Sequence, residues 1–416
     1  MENLDTRYFP NHKEEVCYNY QKIDQLSPSK QYDKLTLRNR NHSSIWVYGF
    51  SAMKRCSNCI LTECTPKIQF NEKNICIYCE THQKIEYRGE NKLLKILHKY
   101  RGRGKKYDCI VTLSGGRDST FTLLKLVKDY KMKVLAVNYE NPFTDPQARL
   151  NMRNAVNILN VDFVSFKSKN RIHQRSFKHN LKTWLKNPDV RIITYFCIGC
   201  KSLWWDILKI ARRYNVRLIV SGMNRFEDTS FKKALLGIPI TEKWETTYMK
   251  SFFTAITGLA GNPRYLQPGF IPTMIKAYLF GDPYAIGPRV FAGNVTKIDL
   301  FFYIKWAEKD IISRLKSELY WDSPKNTAST WRFDCKVAHL KDLIYSETLG
   351  VTERDDFYSK MIREGLISRS DALDRAEIEN YHSKEIAKEL LREANIEYVA
   401  FRKALDKARV TSNPQA

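Results

Sequence analysis

Apolar runs of strand length alternate with longer runs of helical periodicity through the middle of the chain. The apolar runs predict strands at 108–113, 133–139, 161–166 and 217–221. The helical runs predict helices at about 119–130, 145–159, 174–186 and 200–214. Because strands and helices alternate along the chain, this order predicts an α/β fold built on a doubly wound parallel sheet.

Segments of different character surround this sheet. The pattern also predicts an amphipathic, basic helix at 90–101 and two apolar, aromatic segments, at 251–260 and 269–280, that are too short to span a membrane. We divide the chain into a polar, basic extension at 1–51, a cysteine-rich module at 52–84, a linker helix at 85–106, the sheet at 107–230, an apolar insertion at 231–305 and a helical region at 306–416.

The first predicted strand runs into a loop of small residues that opens a helix. The loop begins at Ser114, continues through Gly115, Gly116 and Arg117, and ends with Asp118 and Ser119. Backbone N–H groups at such a turn converge on an anion, the start of the helix adds positive potential, and glycine allows close approach of the ligand. This pattern predicts a phosphate-binding loop.

Polar residues follow two other predicted strands. Asn138 lies at the end of the second strand, and Ser221, Gly222 and Asn224 follow the fourth. Ligands of parallel α/β sheets bind beyond the carboxyl ends of the strands, so we expect these residues to surround one crevice together with Ser114.

The composition predicts a basic surface, because Lys and Arg outnumber Asp and Glu. The 416 residues carry a formal net charge of +24, which favours anionic ligands such as nucleotides, nucleotide sugars and RNA. The sequence contains neither an N-terminal signal pattern nor an unbroken apolar run long enough to span a membrane, so we expect a cytoplasmic protein without a transmembrane segment.

Two pairs of cysteines predict a zinc site. Cys56 and Cys59 form one C-x-x-C pair, Cys76 and Cys79 form a second, and sixteen residues separate the two pairs. This spacing is typical of four thiolates around one tetrahedral Zn²⁺, with no position left for a substrate. We therefore expect a structural metal. Cys64 lies between the pairs, and its spacing fits neither.

A third pair, Cys197 and Cys200, precedes a helical run, and the sequence leaves three interpretations open. The two thiols carry sulfur in catalysis, hold a second metal or an iron–sulfur cluster, or pack beneath the sheet without a chemical role. Cys109 lies within a predicted strand and is expected in the core. Cys335 has no neighbouring cysteine in the sequence.

The loop resembles the SGG-x-D-S motif of the PP-loop ATP pyrophosphatase superfamily. This resemblance implies that Ser114, Gly115, Gly116, Asp118 and Ser119 hold the β- and γ-phosphates of ATP with Mg²⁺. It also implies attack at the α-phosphate, with release of AMP and pyrophosphate. Asn138 and Gly222 match positions at which the superfamily contacts the nucleotide.

A larger set of motifs resembles the N-acetyl sugar amidotransferase family of surface-polysaccharide biosynthesis. The matching segments are the cysteine pairs, residues 106–120, Arg332-Phe-Asp334-Cys335 and residues 355–369. The resemblance implies adenylylation of the N-acetyl amide of a nucleotide-linked sugar, followed by attack of ammonia to give an acetamidino sugar. It further implies separate glutaminase and ammonia-channel subunits, and Asp334 is a candidate for positioning the substrate.

Two other hypotheses remain open on the sequence. The chain is alternatively a tRNA-thiolating PP-loop enzyme, in which Cys197 and Cys200 deliver sulfur and the basic surface binds RNA. A third possibility is an inactive nucleotide-binding scaffold, against which the presence of both Asp118 and Ser119 argues.

Overall fold

The computed structural model describes residues 6–9, 53–201, 203–241, 262–281, 285–325, 327 and 330–412. Most of the predicted N-terminal extension and the predicted apolar helix at 251–260 lie outside these residues. Side chains are not described for 6–9, 381–382 and 410–412.

A six-stranded sheet forms the centre of the described structure. Its strands, β1 to β6 in chain order, are Thr6–Phe9, Cys109–Thr112, Val134–Tyr139, Asp162–Phe166, Leu218–Ser221 and Thr296–Asp299. The spatial order is β1-β4-β3-β2-β5-β6, with β2 to β6 parallel and β1 antiparallel to β4. The predicted parallel α/β fold is therefore confirmed.

Helices connect the strands and form the C-terminal region. The longer helices, α1 to α11, are Glu90–Tyr100, Arg117–Leu124, Pro146–Leu159, Ile172–Lys186, Leu203–Arg213, Ile271–Phe280, Glu308–Leu319, Lys336–Leu349, Glu353–Arg363, Arg369–Glu393 and Tyr398–Ser412. Shorter helices are Ile77–Glu80, Ile198–Lys201, Ser230–Leu235 and Ile286–Phe291. A π-helical turn, Lys125–Asp129, extends α2.

The two faces of the sheet are buried in separate cores, as the alternation of side chains along a strand requires. Cys109 and Val111 of β2 point into a core shared with α1, α2, α3 and α7. Ile110, between them, points into a second core shared with α5. Helices therefore cover both faces, which explains why the central strands β2, β3 and β5 are apolar almost throughout.

The strand β6 lies within the segment that the sequence predicts to be an irregular insertion. Its four residues, Thr296-Lys-Ile-Asp299, carry two charged side chains and give little apolar signal. The strand is held by parallel pairing with β5, and the Asp299 carboxylate accepts a hydrogen bond from Ser221 and pairs with Lys297. These contacts are formed only after the chain has folded, so the local pattern does not contain them.

Candidate phosphate-binding site and metal centre

The phosphate loop joins β2 to α2 at the carboxyl edge of the sheet. Gly115 has φ +81°, and a Cβ atom on this residue would lie 2.0 Å from the Ala148 backbone oxygen. Only glycine fits such a left-handed conformation against a neighbouring backbone. The loop is therefore pressed against the start of α3, and α2 begins immediately after it, at Arg117.

Two serine hydroxyls fix the inside of the loop. The Oγ atoms of Ser114 and Ser119 lie 3.1 Å apart, and the Ser114 N–H donates to Ser119 Oγ at 3.2 Å. The Gly116 N–H donates to Ser114 Oγ at 3.3 Å, while Ser119 Oγ donates to the Gly116 oxygen at 3.2 Å. Hydroxyls and backbone N–H groups thus converge at the start of a helix, an arrangement that suits a phosphate.

The Asp118 carboxylate is held by four donors. Arg117 donates from Nε to Oδ1 at 2.8 Å and from Nη2 to Oδ2 at 2.9 Å. Trp306 Nε1 donates to Oδ1 at 2.9 Å, and Asn224 Nδ2 donates to Oδ2 at 2.6 Å. Each oxygen therefore accepts two hydrogen bonds, and the orientation of this buried carboxylate is fixed.

The Arg117 guanidinium also contacts residues on the side away from Asp118. Its Nη1 contacts Glu308 Oε1 at 2.9 Å and donates to Thr330 Oγ1 at 2.7 Å, and its guanidinium lies 4.6 Å from the centre of the Trp306 ring. Burial raises the pKa of Glu308, but the nearby cations Arg117 and Arg375 outweigh burial, so the net pKa is lowered. Arg117 is the unspecified residue of the SGG-x-D-S motif, and in the structure it is a buried cation between two carboxylates.

The other predicted crevice residues reach the same edge of the sheet. A Cβ on Gly222 would lie 2.6 Å from the backbone carbon and oxygen of Asp118, so this glycine lets β5 approach the loop. Asn224 caps the short helical turn Arg225–Glu227 and contacts Asp118. Asn138 Nδ2, on β3, donates to the oxygen of Leu113, the residue after β2, at 2.7 Å. Its predicted contact with a nucleotide stays a prediction.

Asp334 faces the loop from the C-terminal region. Its Oδ2 lies 3.4 Å from the position that a Cβ on Gly116 would occupy. Burial raises the pKa of Asp334, whereas a hydrogen bond from Ser114 and the charge of Arg332 oppose this shift. A buried carboxyl group in this position beside a phosphate loop is a candidate functional group.

A chain of charges extends from Asp334 away from the loop. Arg332 Nη2 lies 3.4 Å from Glu227 Oε2, and its Nη1 lies 3.5 Å from Glu353 Oε2. Glu353 also pairs with Lys232 and, at 3.1 Å, with Lys341. Burial lowers the pKa of Lys232 to about 8, although Glu353 favours its charged form. The sequence pattern does not place these residues together, because they come from four separate segments.

The third cysteine pair lies beyond β3, near the same crevice. Cys200 Sγ donates to the Cys197 oxygen at 3.1 Å, and both side chains are half-buried. A Cβ on Gly199, between them, would lie 2.4 Å from His173 Cδ2. Cys335 has no other cysteine near it in the sequence. Its sulfur accepts a hydrogen bond at 3.4 Å from Nδ2 of Asn141, a residue just after β3.

The four cysteines of the N-terminal module form a single cluster. Cys56, Cys59, Cys76 and Cys79 place their sulfur atoms within 4.8 Å of one another. The Cys56–Cys79 and Cys59–Cys76 sulfur distances are 3.9 and 3.7 Å. Tetrahedral ligands with metal–sulfur bonds of about 2.3 Å would be about 3.8 Å apart. The cluster therefore fits a metal ion bound by four thiolates.

Backbone and side-chain donors favour the thiolate form of two of the four cysteines, Cys56 and Cys79. The N–H groups of Asn58, Cys59 and Cys76 point to Cys56 Sγ at 3.4, 3.5 and 3.3 Å. Hydrogen bonds from the other cysteine side chains, Cys59 first, hold the pKa of Cys56 well below its ordinary value. Arg363 Nε donates to Cys79 Sγ at 3.4 Å and supplies a compensating positive charge.

The module that carries the cysteine cluster is held against the C-terminal helices by Glu364, just after α9, and Arg369, the first residue of α10. Arg369 donates to the Cys59 and Cys56 oxygens at 3.0 and 3.2 Å. Glu364 contacts His82 at 2.5 Å and accepts from the Ile85 N–H at 3.2 Å. The sequence motif at 355–369 thus contains the residues that bind the metal module to the rest of the protein.

Across the described ranges, none of the helices combines the length and apolar character needed to cross a membrane.

Comparison with known proteins gives limited matches. No protein-family model matches the chain. An uncharacterized protein of Methanocaldococcus jannaschii is 31% identical over 173 residues, which is 40% of this chain and 58% of that protein. The chain therefore spans less than two thirds of this relative.

Two solved structures are similar at low scores. NMN synthetase from Francisella tularensis gives a TM-score of 0.28 at 14% identity, over 71% of this chain and 93% of that chain. The U34-tRNA thiolase NcsA from Methanococcus maripaludis, solved with its 4Fe-4S cluster, gives 0.29 at 14% identity, over 83% and 89%. Scores at this level carry no argument about function.

Proposed function

We propose that the chain is an ATP-dependent enzyme of the PP-loop type that releases AMP and pyrophosphate while it adenylylates a second substrate. The observation that carries this proposal is the loop at 114–119, in which two hydroxyls and the backbone N–H groups of Ser114 and Gly116 converge at the start of a buried helix. Ser114, Ser119 and the Gly115 and Gly116 backbones would bind the β- and γ-phosphates.

Magnesium would accompany the ATP, and carboxylates are the ligands it prefers. Asp118 and Asp334 are the candidates, since Asp118 belongs to the loop and the Asp334 carboxylate faces Gly116. The two Asp118 oxygens already accept four hydrogen bonds, so a metal there would have to replace a donor. Bound magnesium would neutralise charge on the leaving pyrophosphate, and Arg117 would keep Asp118 ionised and oriented.

The substrate we propose is the N-acetyl group of a nucleotide-linked sugar. Its amide oxygen would attack the α-phosphorus of ATP and expel pyrophosphate. Ammonia would then add to the activated amide carbon, lose a proton and expel AMP with the original oxygen, which leaves an acetamidino group. Arg332, Lys341 and Lys232, in the charged cluster that begins beside Asp334, supply positive charge that would suit the phosphates of a nucleotide sugar.

The remaining components follow from this reaction. We assign ammonia supply to separate glutaminase and ammonia-channel subunits, and zinc to the Cys56, Cys59, Cys76 and Cys79 cluster as a structural ion. Zinc bound by four thiolates would fix the module against α9 and α10 and take no part in the reaction.

A second candidate function is tRNA thiolation by the same adenylylation. The specific observation in its favour is the position of Cys197, Cys200 and Cys335 at the edge of the sheet that carries the phosphate loop. In that reaction sulfur would take the place of ammonia, and the basic surface would bind RNA.

The decisive experiment measures AMP release from labelled ATP by the full chain. One set of reactions contains ammonium and N-acetylated nucleotide sugars, and the other contains bulk tRNA and a sulfide donor. Sugar-dependent AMP and a product one mass unit lighter than the sugar, from replacement of O by NH, support amidination. AMP release that requires tRNA would exclude it in favour of thiolation, and absence of AMP release with every acceptor would exclude both.

A further inference from the structure

Exposed apolar side chains are concentrated in the segment between β5 and β6, to which the proposed reaction gives no role. Within the described residues, ten large hydrophobic side chains are exposed, and six of them lie at 266–291. Exposed apolar residues that form one patch mark a surface that contacts a partner or a membrane. These six residues, the apolar face, are Leu266, Ile271, Ile275, Ile286, Val290 and Phe291.

Two helices present most of the apolar face. On α6, Ile271 and Ile275 are four residues apart and therefore lie on one side of the helix, and Ile275 is 52% exposed. The short helix Ile286–Phe291 repeats this spacing with Ile286 and Val290, and Val290 is 66% exposed. The core of the protein is packed by other residues of α6, which are Met274, Ala277 and Phe280.

The two helices are packed into one surface. A Cβ on Gly287 would lie 2.5 Å from the Leu279 backbone oxygen, so the short helix is pressed against the end of α6. The Phe280 and Phe291 rings have centroids 5.8 Å apart. Both rings also contact Trp205 of α5, at 4.8 and 6.1 Å. The exposed side chains of both helices therefore belong to a single supported surface.

Basic side chains border the apolar face. Lys276 and Arg289 are exposed and belong to the same two helices. Arg212, in the last turn of α5, donates to the Phe291 backbone oxygen and is exposed as well. The surface thus combines aliphatic and aromatic side chains with cations at its border, as in protein segments that lie in a membrane interface.

Acidic side chains are scarce around this face. The described residues at 262–281 and 285–298 include no Asp or Glu, and Asp282 lies outside the described residues. Burial raises the pKa of Asp206 on α5, and the charges of three lysines, Lys276 among them, oppose this shift. One half-buried carboxyl group therefore stands near three cations, and the border is positive.

We propose that the apolar face is a peripheral membrane-binding surface whose partner is an anionic lipid bilayer. Apolar side chains of such a surface enter the boundary of the acyl chains, and the bordering Lys and Arg meet anionic headgroups. The formal net charge of +24 would attract the chain to the same bilayer. A second copy of this chain fits less well, because a twofold interface would place the cations of one face against those of the other.

Vesicle sedimentation of the full chain tests the proposal. The vesicles contain either equal parts of phosphatidylglycerol and phosphatidylcholine or phosphatidylcholine alone. We expect the wild type to bind the anionic vesicles, to bind the neutral ones more weakly, and to dissociate at high salt. The double variant Ile275→Ser, Val290→Ser should partition about tenfold less or weaker still. Val399→Ser, at an exposed valine of α11, is the matched control and should bind as the wild type does.

A charge variant tests the border of the face separately. Lys276→Gln should lower partition into the anionic vesicles about fivefold and leave binding to neutral vesicles unchanged. Lys403→Gln, at an exposed position of α11, removes the same charge outside the apolar face and should have a smaller effect. All replaced side chains are exposed, so each variant should keep the unfolding transition of the wild type.

Light scattering of the vesicle-free protein completes the experiment. Failure of the wild type to bind anionic vesicles, or equal binding of the wild type and the double variant, would overturn the proposal. In that case a dimer that the double variant loses would assign the apolar face to a second copy, and a monomer would assign it to another protein. Because no measurement uses ATP, a failure here is distinct from a failure of the proposed reaction.

Discussion

Arg117 and Asp118 are consecutive residues whose side chains form a two-bond ion pair at the first turn of a buried helix. The Nε–Oδ1 and Nη2–Oδ2 distances are 2.8 and 2.9 Å. The same guanidinium contacts Glu308 at 2.9 Å, so one cation holds two buried carboxylates. The phosphate loop is thereby connected to the C-terminal region through side chains rather than backbone.

Arg117→Met should destabilise the protein by about 3–5 kcal/mol, because it leaves Asp118 and Glu308 buried without their shared cation. Urea denaturation measures this loss. The matched control is Arg314→Met, which breaks partly exposed ion pairs with Asp129 and Glu318 and should cost about 1 kcal/mol or less. Equal losses in the two variants would mean that the Arg117 network contributes no more than a surface ion pair.

The strongly periodic parts of the fold are predictable from the sequence. The four predicted strands match β2 to β5 within two residues at each end, because they are buried on both faces and read as apolar runs. The spacing of Cys56, Cys59, Cys76 and Cys79 likewise identifies the four-thiol cluster. Both patterns are local in the sequence, so they can be recognised without knowledge of tertiary contacts.

Long-range contacts account for what the sequence leaves out. Cys335 acquires its position near Cys197 only through Asn141 and Phe143, and Glu353 meets Arg332 only through folding of the C-terminal helices. The strand β6 forms through its parallel pairing with β5. None of these has a period or a spacing that a reader of the sequence alone would recognise.

Gly222→Ala should damage the phosphate loop without touching a polar group. Its Cβ would come 2.6 Å from the Asp118 backbone carbon and oxygen, and backbone atoms at that distance cannot rotate away. We expect a loss of about 1–3 kcal/mol in unfolding free energy from this overpacking, together with weaker ATP binding. Gly269→Ala is the control, since a Cβ there meets nothing within 4 Å. If Gly222→Ala binds ATP as the wild type does, the loop does not depend on this approach of β5.

Arg363→Met should weaken metal binding at the four-cysteine cluster while leaving all four ligands in place. Arg363 Nε donates to Cys79 Sγ at 3.4 Å, and outer-sphere donors of this kind typically contribute 10–100-fold in metal affinity. Competition with a chromophoric chelator measures the change. Arg392→Met, on an exposed position of α10, should bind metal normally. Cys56→Ser should lose the ion altogether, and metal-free wild-type protein would contradict the assignment of this cluster.

The buried His173 should make stability fall in acid. Burial lowers the pKa of His173 to about 4, below the value of about 6.5 for an exposed histidine. Between these two pH values the unfolded chain binds a proton that the folded chain does not, so the free energy of unfolding decreases as pH falls through this window. This pKa shift lowers the free energy of unfolding by about 3 kcal/mol between neutral pH and pH 4.

Comparison with His173→Gln isolates this contribution from the carboxylates that titrate in the same range. The difference in unfolding free energy between wild type and variant should narrow by about 3 kcal/mol from pH 7 to pH 4. Because His173 lies against Gly199 and contacts Tyr139 at 3.0 Å, its protonation would also disturb the cysteine pair. A pH-independent difference for His173→Gln would show that this imidazole is protonated in the folded protein or solvated.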